Sequence, residues 1–262
     1  MYLFKCYHSV NYLFFKYELN VNSIFLKNLL SFDIIEELDT QTNIYMKKSI
    51  LLVAILTINI FNMLAQKTKV GAGVIDVEGN NYKTVIIGNQ EWMADNLKVT
   101  KYRNGQPIPH IDDSTVWSQW NAGAYAYYKH DVKHGVLYNW MTVNDVRKVC
   151  PIGWHVPSNK EWDTLAKNLG GYDVAGGKLK SKLHWEAPNT GATNESDFHA
   201  LPKGCYGING SFNGVGKNAY WWTSTENGEL SAWGREVGFN EAILYVGHGD
   251  KRDGLSIRCV KD

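Results

Sequence analysis

Short β-rich runs separated by turn residues open the region that follows residue 66. Residues 74–77 are rich in Val and Ile, residues 78–81 supply a Glu-Gly-Asn-Asn turn, and residues 82–87 form a second β-rich run. Two strands joined by a Gly/Asn turn fit this pattern, so residues 73–87 are predicted to form a β-hairpin. Gly88 then breaks the second strand.

The clearest helical pattern begins at Ser158. Its hydroxyl can accept hydrogen bonds from free N–H groups of a first helical turn, while Glu161 can reach back to complete a capping box. Apolar residues then recur at helical spacing as one stripe, and two glycines stop the helix; these residues are Trp162, Leu165, Ala166, Leu169, Gly170 and Gly171. The pattern predicts a helix whose stripe packs in the core.

The remaining pattern places strands after the helices. A second, less regular helix is predicted over 173–181, since two internal glycines weaken it, and residues 184–217 are predicted to be loops around the short segment 198–201. The later predicted strands are 220–224, 232–238, 242–246 and 255–260. The order of strands, then helices, then strands indicates the α+β class.

The first 65 residues differ from the rest. Residues 1–45 contain no Gly, Ala, Pro, Arg or Trp, so we interpret them as translated upstream DNA rather than part of the fold. From Met46, two lysines and an apolar run that ends at Ala65 follow the pattern of a secretory signal peptide. This run is shorter than the ~20 residues of a membrane span, so signal removal is expected to leave residues 66–262 with no integral membrane segment.

Charge and cysteine content narrow the partners and the compartment. The chain has 27 basic and 26 acidic residues, five of each before residue 66, and this balance offers no electrostatic footprint for nucleic acid or anionic membranes. Residues 66–262 suit a single domain with a sizeable core. In an oxidising compartment, Cys150, Cys205 and Cys259 allow one disulfide and leave one thiol.

Seven ordered segments resemble the Fibrobacter succinogenes major paralogous domain, a family found in secreted and surface proteins. The segments are 82–97 (YKTVIIGNQEWMADNL), 137–140 (LYNW), 150–158 (CPIGWHVPS), 191–196 (GATNES), 200–202 (ALP), 220–226 (YWWTSTE) and 257–260 (IRCV). Because they are spread over nearly the whole of residues 66–262, chance is a poor explanation.

This resemblance implies a C-type-lectin-like fold, as in the formylglycine-generating sulfatase modifiers, with mixed antiparallel strands around two helices and chain ends close together. It also implies that Cys150 lies beside Cys259 and is bonded to it. The formylglycine enzymes use a reactive Cys pair near the chain end, where this sequence has only Cys259. Their oxidase activity is therefore not expected here.

Flat aromatic faces suggest sugar or peptide binding, because they stack on such ligands and Trp adds an N–H donor. The alternative is that the fold uses these large aromatics in its own core. The candidate binding residues are Trp117, Trp120, Trp185, Asn194, Glu195, Trp222 and Glu226.

Other chemistry has weaker support in the sequence. Asn189, Asn194, Glu195 and Asp197 carry oxygen ligands of the kind calcium prefers, but no spacing matches a calcium loop, so turn chemistry is favoured and no cofactor is expected. His130 and His134 would face one side of a helix, yet their neighbours indicate a loop, so no metal site is predicted. Cys205 is interpreted as buried and inert, because a catalytic thiol needs a nearby base and His199 is only a possible partner.

We therefore predict an exported, non-enzymatic module, located in the periplasm, at the cell surface or outside the cell. Its expected partner is a glycan or a surface protein, by analogy with the fold. Two alternatives stay open: an enzyme, either a hydrolase or a thiol-based oxidase, and a purely structural surface protein.

The exported protein should begin near Gln66, because the basic residues, the apolar run and Ala65 align only with a start at Met46. N-terminal sequencing of exported material measures this directly. Recovery of exported chains that keep residues 1–45 would contradict the prediction.

Overall fold

A computed structural model describes residues 47–57, 69–128 and 135–262. The predicted upstream segment, the Ala65–Gln66 cleavage position, and the pair His130 and His134 lie outside the described residues. The chain divides into two units, Met1–Ala65 and Gln66–Asp262. In the first unit, residues 47–57 form a helix with mostly exposed side chains. Searching the described residues for a helix long and apolar enough to span a membrane finds none.

The second unit is rich in short strands, with few helices. The strands are β1 (Lys69–Val70), β2 (Val74–Ile75), β3 (Asn81–Tyr82), β4 (Thr84–Ile87), β5 (Gln90–Met93), β6 (Tyr125–Tyr127), β7 (Val136–Tyr138), β8 (Trp154–His155), β9 (Lys203–Tyr206), β10 (Phe212–Val215), β11 (Asn218–Glu226), β12 (Ser231–Gly238), β13 (Leu244–Asp250) and β14 (Val260–Lys261). The helices are α1 (Ser114–Gln119), α2 (Trp140–Val143), α3 (Asn159–Asn168) and α4 (Tyr172–Leu179). The α+β class is confirmed.

Two five-stranded sheets form the body of this unit. The first has the order β1-β4-β5-β14-β8 and is antiparallel throughout. The second has the order β10-β9-β11-β12-β13, with β9 and β11 parallel and the other pairs antiparallel. The last strand of the chain, β14, therefore lies inside the first sheet.

Helices α3 and α4 form where the sequence predicts them. Ser158 caps α3, and both hydrogen bonds of the capping box with Glu161 are present. In α4 the internal glycine Gly176 has a packing role, because a Cβ atom there would lie 2.3 Å from the carbonyl oxygen of Ile243. The glycines that weaken α4 as a helix thus let it approach the loop before β13.

The stripe of α3 packs against both sheets in one core cluster. Trp162 is fully buried there. Its ring centroid lies 4.9 Å from that of Trp92 on β5, 5.8 Å from that of Trp221 on β11 and 5.9 Å from that of Phe198. Tilted arrangements of this kind add to the free energy gained from burial alone. This aromatic group joins α3 to both sheets.

The disulfide between Cys150 and Cys259 is present, with 6.0 Å between the Cα atoms and a sequence separation of 109. Both cysteines are buried in the second core cluster. In the chain-entropy model, a loop of this length stabilises by about 4 to 5 kcal/mol. Cys205 carries a free thiol, so the pairing implied by the family resemblance is confirmed.

Three strand predictions need correction. The run 82–87 is divided between β3, which pairs with β2, and β4, which pairs with β5 in a different sheet. Residues predicted as loop contain β9 and β10, whose Gly-rich sequences become strands because β9 pairs with β11. Within the predicted strand 255–260, residues 255 and 256 form isolated β-bridges with Tyr138 and Trp221. Of this run, only Val260 belongs to a strand, β14, which pairs with β5. In each case, pairing with distant strands outweighs local propensity.

A buried lysine ties α4 to two loops. The side chain of Lys180, directly after α4, is fully buried, and its ammonium donates to the carbonyl oxygens of Thr190, Gly238 and Glu241 at 2.8 to 2.9 Å. Burial lowers the pKa of Lys180 to about 8. Backbone dipoles, rather than a bonded carboxylate, thus compensate this charge.

Substitutions in α3 should separate the core from the cap. Trp162→Ala removes a fully buried ring and is expected to cost about 3 to 5 kcal/mol of unfolding free energy, whereas Ser158→Ala should cost about 1 kcal/mol. Denaturant unfolding of both variants measures the difference. A Trp162→Ala protein as stable as the parent would show that this ring is not part of the core.

Candidate functional site

Two of the predicted binding tryptophans are not available to a ligand. Trp117 on α1 is 1% exposed, and its ring centroid lies 4.9 Å from that of Tyr206. Trp222 on β11 is 0% exposed, and its indole N–H donates to the carbonyl oxygen of Tyr138 at 2.8 Å. The prediction of an exposed platform is therefore corrected for these two residues. Their aromatic bulk fills the core, which was the alternative interpretation.

The other two predicted tryptophans are half-buried and belong to different clusters. Trp120 packs against the cluster that holds α1. Trp185 packs against the cluster that holds α3, and its indole N–H donates to the carbonyl oxygen of Ala200 at 3.0 Å. The structure therefore does not bring the four tryptophans together into one surface.

The predicted polar residues make contacts within the protein. Glu195 forms an ion pair with Lys178 at 2.8 Å, and Glu226 forms one with Lys251. The side-chain oxygen of Asn194 accepts a hydrogen bond from the backbone N–H of His199 at 2.9 Å. Of these three residues, Asn194 contacts a residue that lines a groove, because its partner His199 lies on the groove wall.

This groove, which we call the polar groove, has a volume of about 510 Å³. That volume lies within the range of about 300 to 1,000 Å³ that is usual for small-molecule sites. Most of its described lining residues come from the segment after β5, from the segment that leads into β9 and from the segment before β14, and the others lie beside β3 and at β6 and β7. The lining residues are Asn80, Asp95, Asn96, Leu97, Lys98, Tyr127, Gly135, Val136, His199, Leu201, Lys203, Ser256 and Arg258.

Arg258 forms the base of the polar groove. Its side chain is 1% exposed, and its guanidinium carbon lies 4.0 Å from the ring centroid of Phe198. The guanidinium donates to the side-chain oxygen of Asn96 and to the carbonyl oxygens of Met93 and Phe198. Burial lowers the pKa of Arg258, but a guanidinium stays charged in proteins, so a cation lies beneath the groove.

Three N–H donors fix the orientation of the Asn96 side-chain amide. Its side-chain oxygen accepts from Nε of Arg258 at 3.0 Å, from Nη2 of Arg258 at 2.7 Å and from the indole N–H of Trp221 at 2.9 Å. Because all three partners are donors, the amide oxygen must face them and the amide nitrogen must point away. No acceptor within the described residues bonds that NH₂ group, which therefore remains available on the groove wall.

Cations outnumber acids among the described lining residues. Lys98, Lys203 and Arg258 are basic, and Asp95 is the single acidic residue of the set. Lys203 is half-buried, and burial lowers the pKa of its ammonium. In the described part of the chain, no hydrogen bond or ion pair compensates that charge.

The segment before β9 carries unusual backbone geometry. Asn194, Asp197 and His199 have φ values of 52°, 50° and 58°, a left-handed region that non-glycine residues adopt at some energetic cost. The hydrogen bond from the His199 N–H to Asn194 supports this conformation. As a result, the exposed side chain of His199 lies on the wall of the polar groove.

The chemistry needed for a thiol enzyme or a metal centre is not assembled in the described residues. Burial raises the pKa of Cys205 to about 11, so the thiol is protonated at neutral pH and is a poor nucleophile. Within residues 47–57, 69–128 and 135–262, no group of three or more His, Cys, Asp or Glu side chains is placed to hold a metal ion.

These features define a disulfide-linked α+β domain with a polar, cation-rich groove. Residues 85–261 match the family model of the Fibrobacter succinogenes major domain, and the chain belongs to this family. No curated protein and no solved structure shows a significant match to this chain.

The sequence prediction missed the polar groove, although one signal pointed toward it. Asn96, Leu201 and Arg258 each lie in a segment that carries the family resemblance, namely 82–97, 200–202 and 257–260. Their convergence depends on backbone hydrogen bonds between distant residues, such as that from the Leu97 N–H to the carbonyl oxygen of Ile257 at 2.8 Å. No local pattern encodes that contact.

Replacing Asn96 should test whether it holds the buried guanidinium. Asn96→Leu leaves two N–H groups of Arg258 without an acceptor and should cost about 3 kcal/mol or more of unfolding free energy. Asn96→Asp keeps an oxygen in the same place, so its cost should stay below about 1 kcal/mol. Denaturant unfolding compares them, and equal stability of the two variants would contradict this role.

Proposed function

We propose that the chain is an exported, non-enzymatic binding module that holds a sugar unit of a glycan in the polar groove. We further propose that its fold is C-type-lectin-like, with a location in the periplasm, at the cell surface or outside the cell. The observation that carries the proposal is the groove itself, which combines a volume suited to a small ligand with polar side chains on its walls.

The groove offers the contacts that a sugar needs. Asn80, Asn96 and Ser256 carry amide or hydroxyl groups that can exchange hydrogen bonds with sugar hydroxyls. Tyr127 is half-buried on the wall, and an aromatic face of this kind can pack against the C–H groups of a sugar ring. Polar donors beside one aromatic ring therefore favour a carbohydrate over a purely apolar ligand.

Binding is favoured over hydrolysis because the groove lacks a pair of acids in the described residues. Glycoside hydrolysis ordinarily uses two carboxyl groups, about 5 to 9.5 Å apart, and Asp95 stands alone among the described lining residues. A thiol-based oxidase is disfavoured by the high pKa of Cys205. Both observations support a module that binds without catalysis.

The disulfide and the arrangement of the chain ends support the exported, lectin-like interpretation. Disulfides such as Cys150–Cys259 form and persist mainly in oxidising compartments. Strands β1 and β14, the first and last described strands of the second unit, belong to the same sheet. This agrees with the close chain ends expected from the family resemblance.

A glycan array followed by titration of the best ligand tests the proposal. Leu201→Trp adds bulk to the groove wall and should abolish binding, whereas Leu230→Trp, at a position 68% exposed and outside the groove, should bind like the parent. Adding a calcium chelator should leave the affinity unchanged.

Three results would overturn this function. The first is an array on which no glycan binds the parent protein. The second is a Leu201→Trp protein that folds and binds like the Leu230→Trp control. The third is release of new reducing ends from the bound glycan, which would identify the alternative, a hydrolase.

A further inference from the structure

We propose that the ligand of the polar groove is an acidic glycan, whose sugar carboxylate binds among Arg258, Lys203 and Asn96. This inference rests on the proposed glycan-binding function and narrows it to one chemical class of sugar. Three features of the groove carry it: its unused donors, its net positive charge and its half-buried lysine.

The groove presents donors that no described residue uses. Arg258 has five N–H groups, and four of them donate to Asn96, Met93 and Phe198. The fifth, on Nη2, has no acceptor among the described residues. The NH₂ group of Asn96 and the ammonium of Lys203 are also without a described partner. Donors without acceptors call for a ligand rich in oxygen lone pairs.

The charge of the groove is positive, because its three cations outnumber its single described carboxylate, Asp95, whose charge acts on Arg258. No ion pair joins Arg258, Lys98 or Lys203 to an acid in the described residues, and Asp95 is the only described carboxylate on the wall. The ammonium of Lys98 lies 5.5 Å from the ring centroid of Tyr82 and is exposed. Because interactions between charges strengthen where water is excluded, an anion beside buried Arg258 gains more than a neutral sugar does.

Lys203 is placed where an unpaired charge weakens the fold. A half-buried ammonium with no acceptor loses hydration and gains no protein partner in return. A carboxylate in the groove would restore that partner. Lys203 is therefore expected to favour ligand binding at the expense of stability in the free protein.

The test compares sugars that differ only in charge. The probes are oligomers of galacturonate, glucuronate and mannuronate, together with sialylated oligosaccharides, each paired with its methyl ester. We expect at least one acidic probe to bind with a Kd below about 1 mM, and its methyl ester to bind about tenfold more weakly or worse. Raising the salt from about 0.01 M to about 0.1 M, which shortens the Debye length from about 30 Å to about 10 Å, should weaken only the acidic probe.

Lys203→Met removes the ammonium while keeping most of the apolar stem. This substitution should weaken binding of the acidic probe about tenfold or more and leave binding of the methyl ester unchanged. The melting temperature of the variant should equal or exceed that of the parent. Lys160→Met is the matched control, because Lys160 is exposed on α3 and outside the groove. A purely structural Lys203 would instead lower the melting temperature and weaken both probes alike.

The outcomes separate this inference from the function on which it rests. Equal binding of acid and ester, still blocked by Leu201→Trp, would keep the binding function and overturn the acidic class. Acidic binding that Lys203→Met leaves unchanged would overturn the assignment of the site. Failure of every acidic probe would overturn the inference, and failure of neutral glycans as well would overturn the proposed function.

Discussion

The burial of the Arg258 charge is the constraint on which the rest of this domain depends. Removing a guanidinium from water is costly unless its donors are satisfied, and here the acceptors come from Asn96, Met93 and Phe198. Met93 and Asn96 lie in one segment and Phe198 in another, about 100 residues further along the chain, so satisfying the donors of Arg258 fixes the relative positions of these two segments. The floor and one wall of the polar groove follow from that arrangement.

The buried charge of Lys180 is also stabilised by oxygen acceptors that carry no net charge. Its ammonium is compensated by three backbone carbonyls, with no carboxylate bonded to it. Backbone dipoles stabilise a cation without cancelling its net charge, unlike an ion pair. In the interior around α4 this has only a structural effect. Beneath an open groove, as at Arg258, it leaves a positive field that a ligand can reach.

The sequence revealed elements whose signals are local, and it missed those that depend on distant pairing. The helix from Ser158 was predictable because cap, stripe and stop lie within a few turns. Strands β9 and β10 could not be predicted in this way, since their sequences contain glycine and form strands only because β9 pairs with β11 and β10 pairs with β9. Aromatic content suggested a binding surface, but composition cannot tell that Trp222 faces the core. The groove escaped prediction for the same reason, because its walls are brought together by tertiary contacts.

The central place of β14 has a consequence for how the chain acquires its structure. Residues 258–261 follow all the other described strands in the sequence, and they supply a middle strand of the first sheet, the partner of Cys150 and the base of the groove. Until they emerge, β5 and β8 have no strand between them. The second unit is therefore expected to complete its fold only after residues 258–261 have been synthesised, rather than strand by strand as the chain grows.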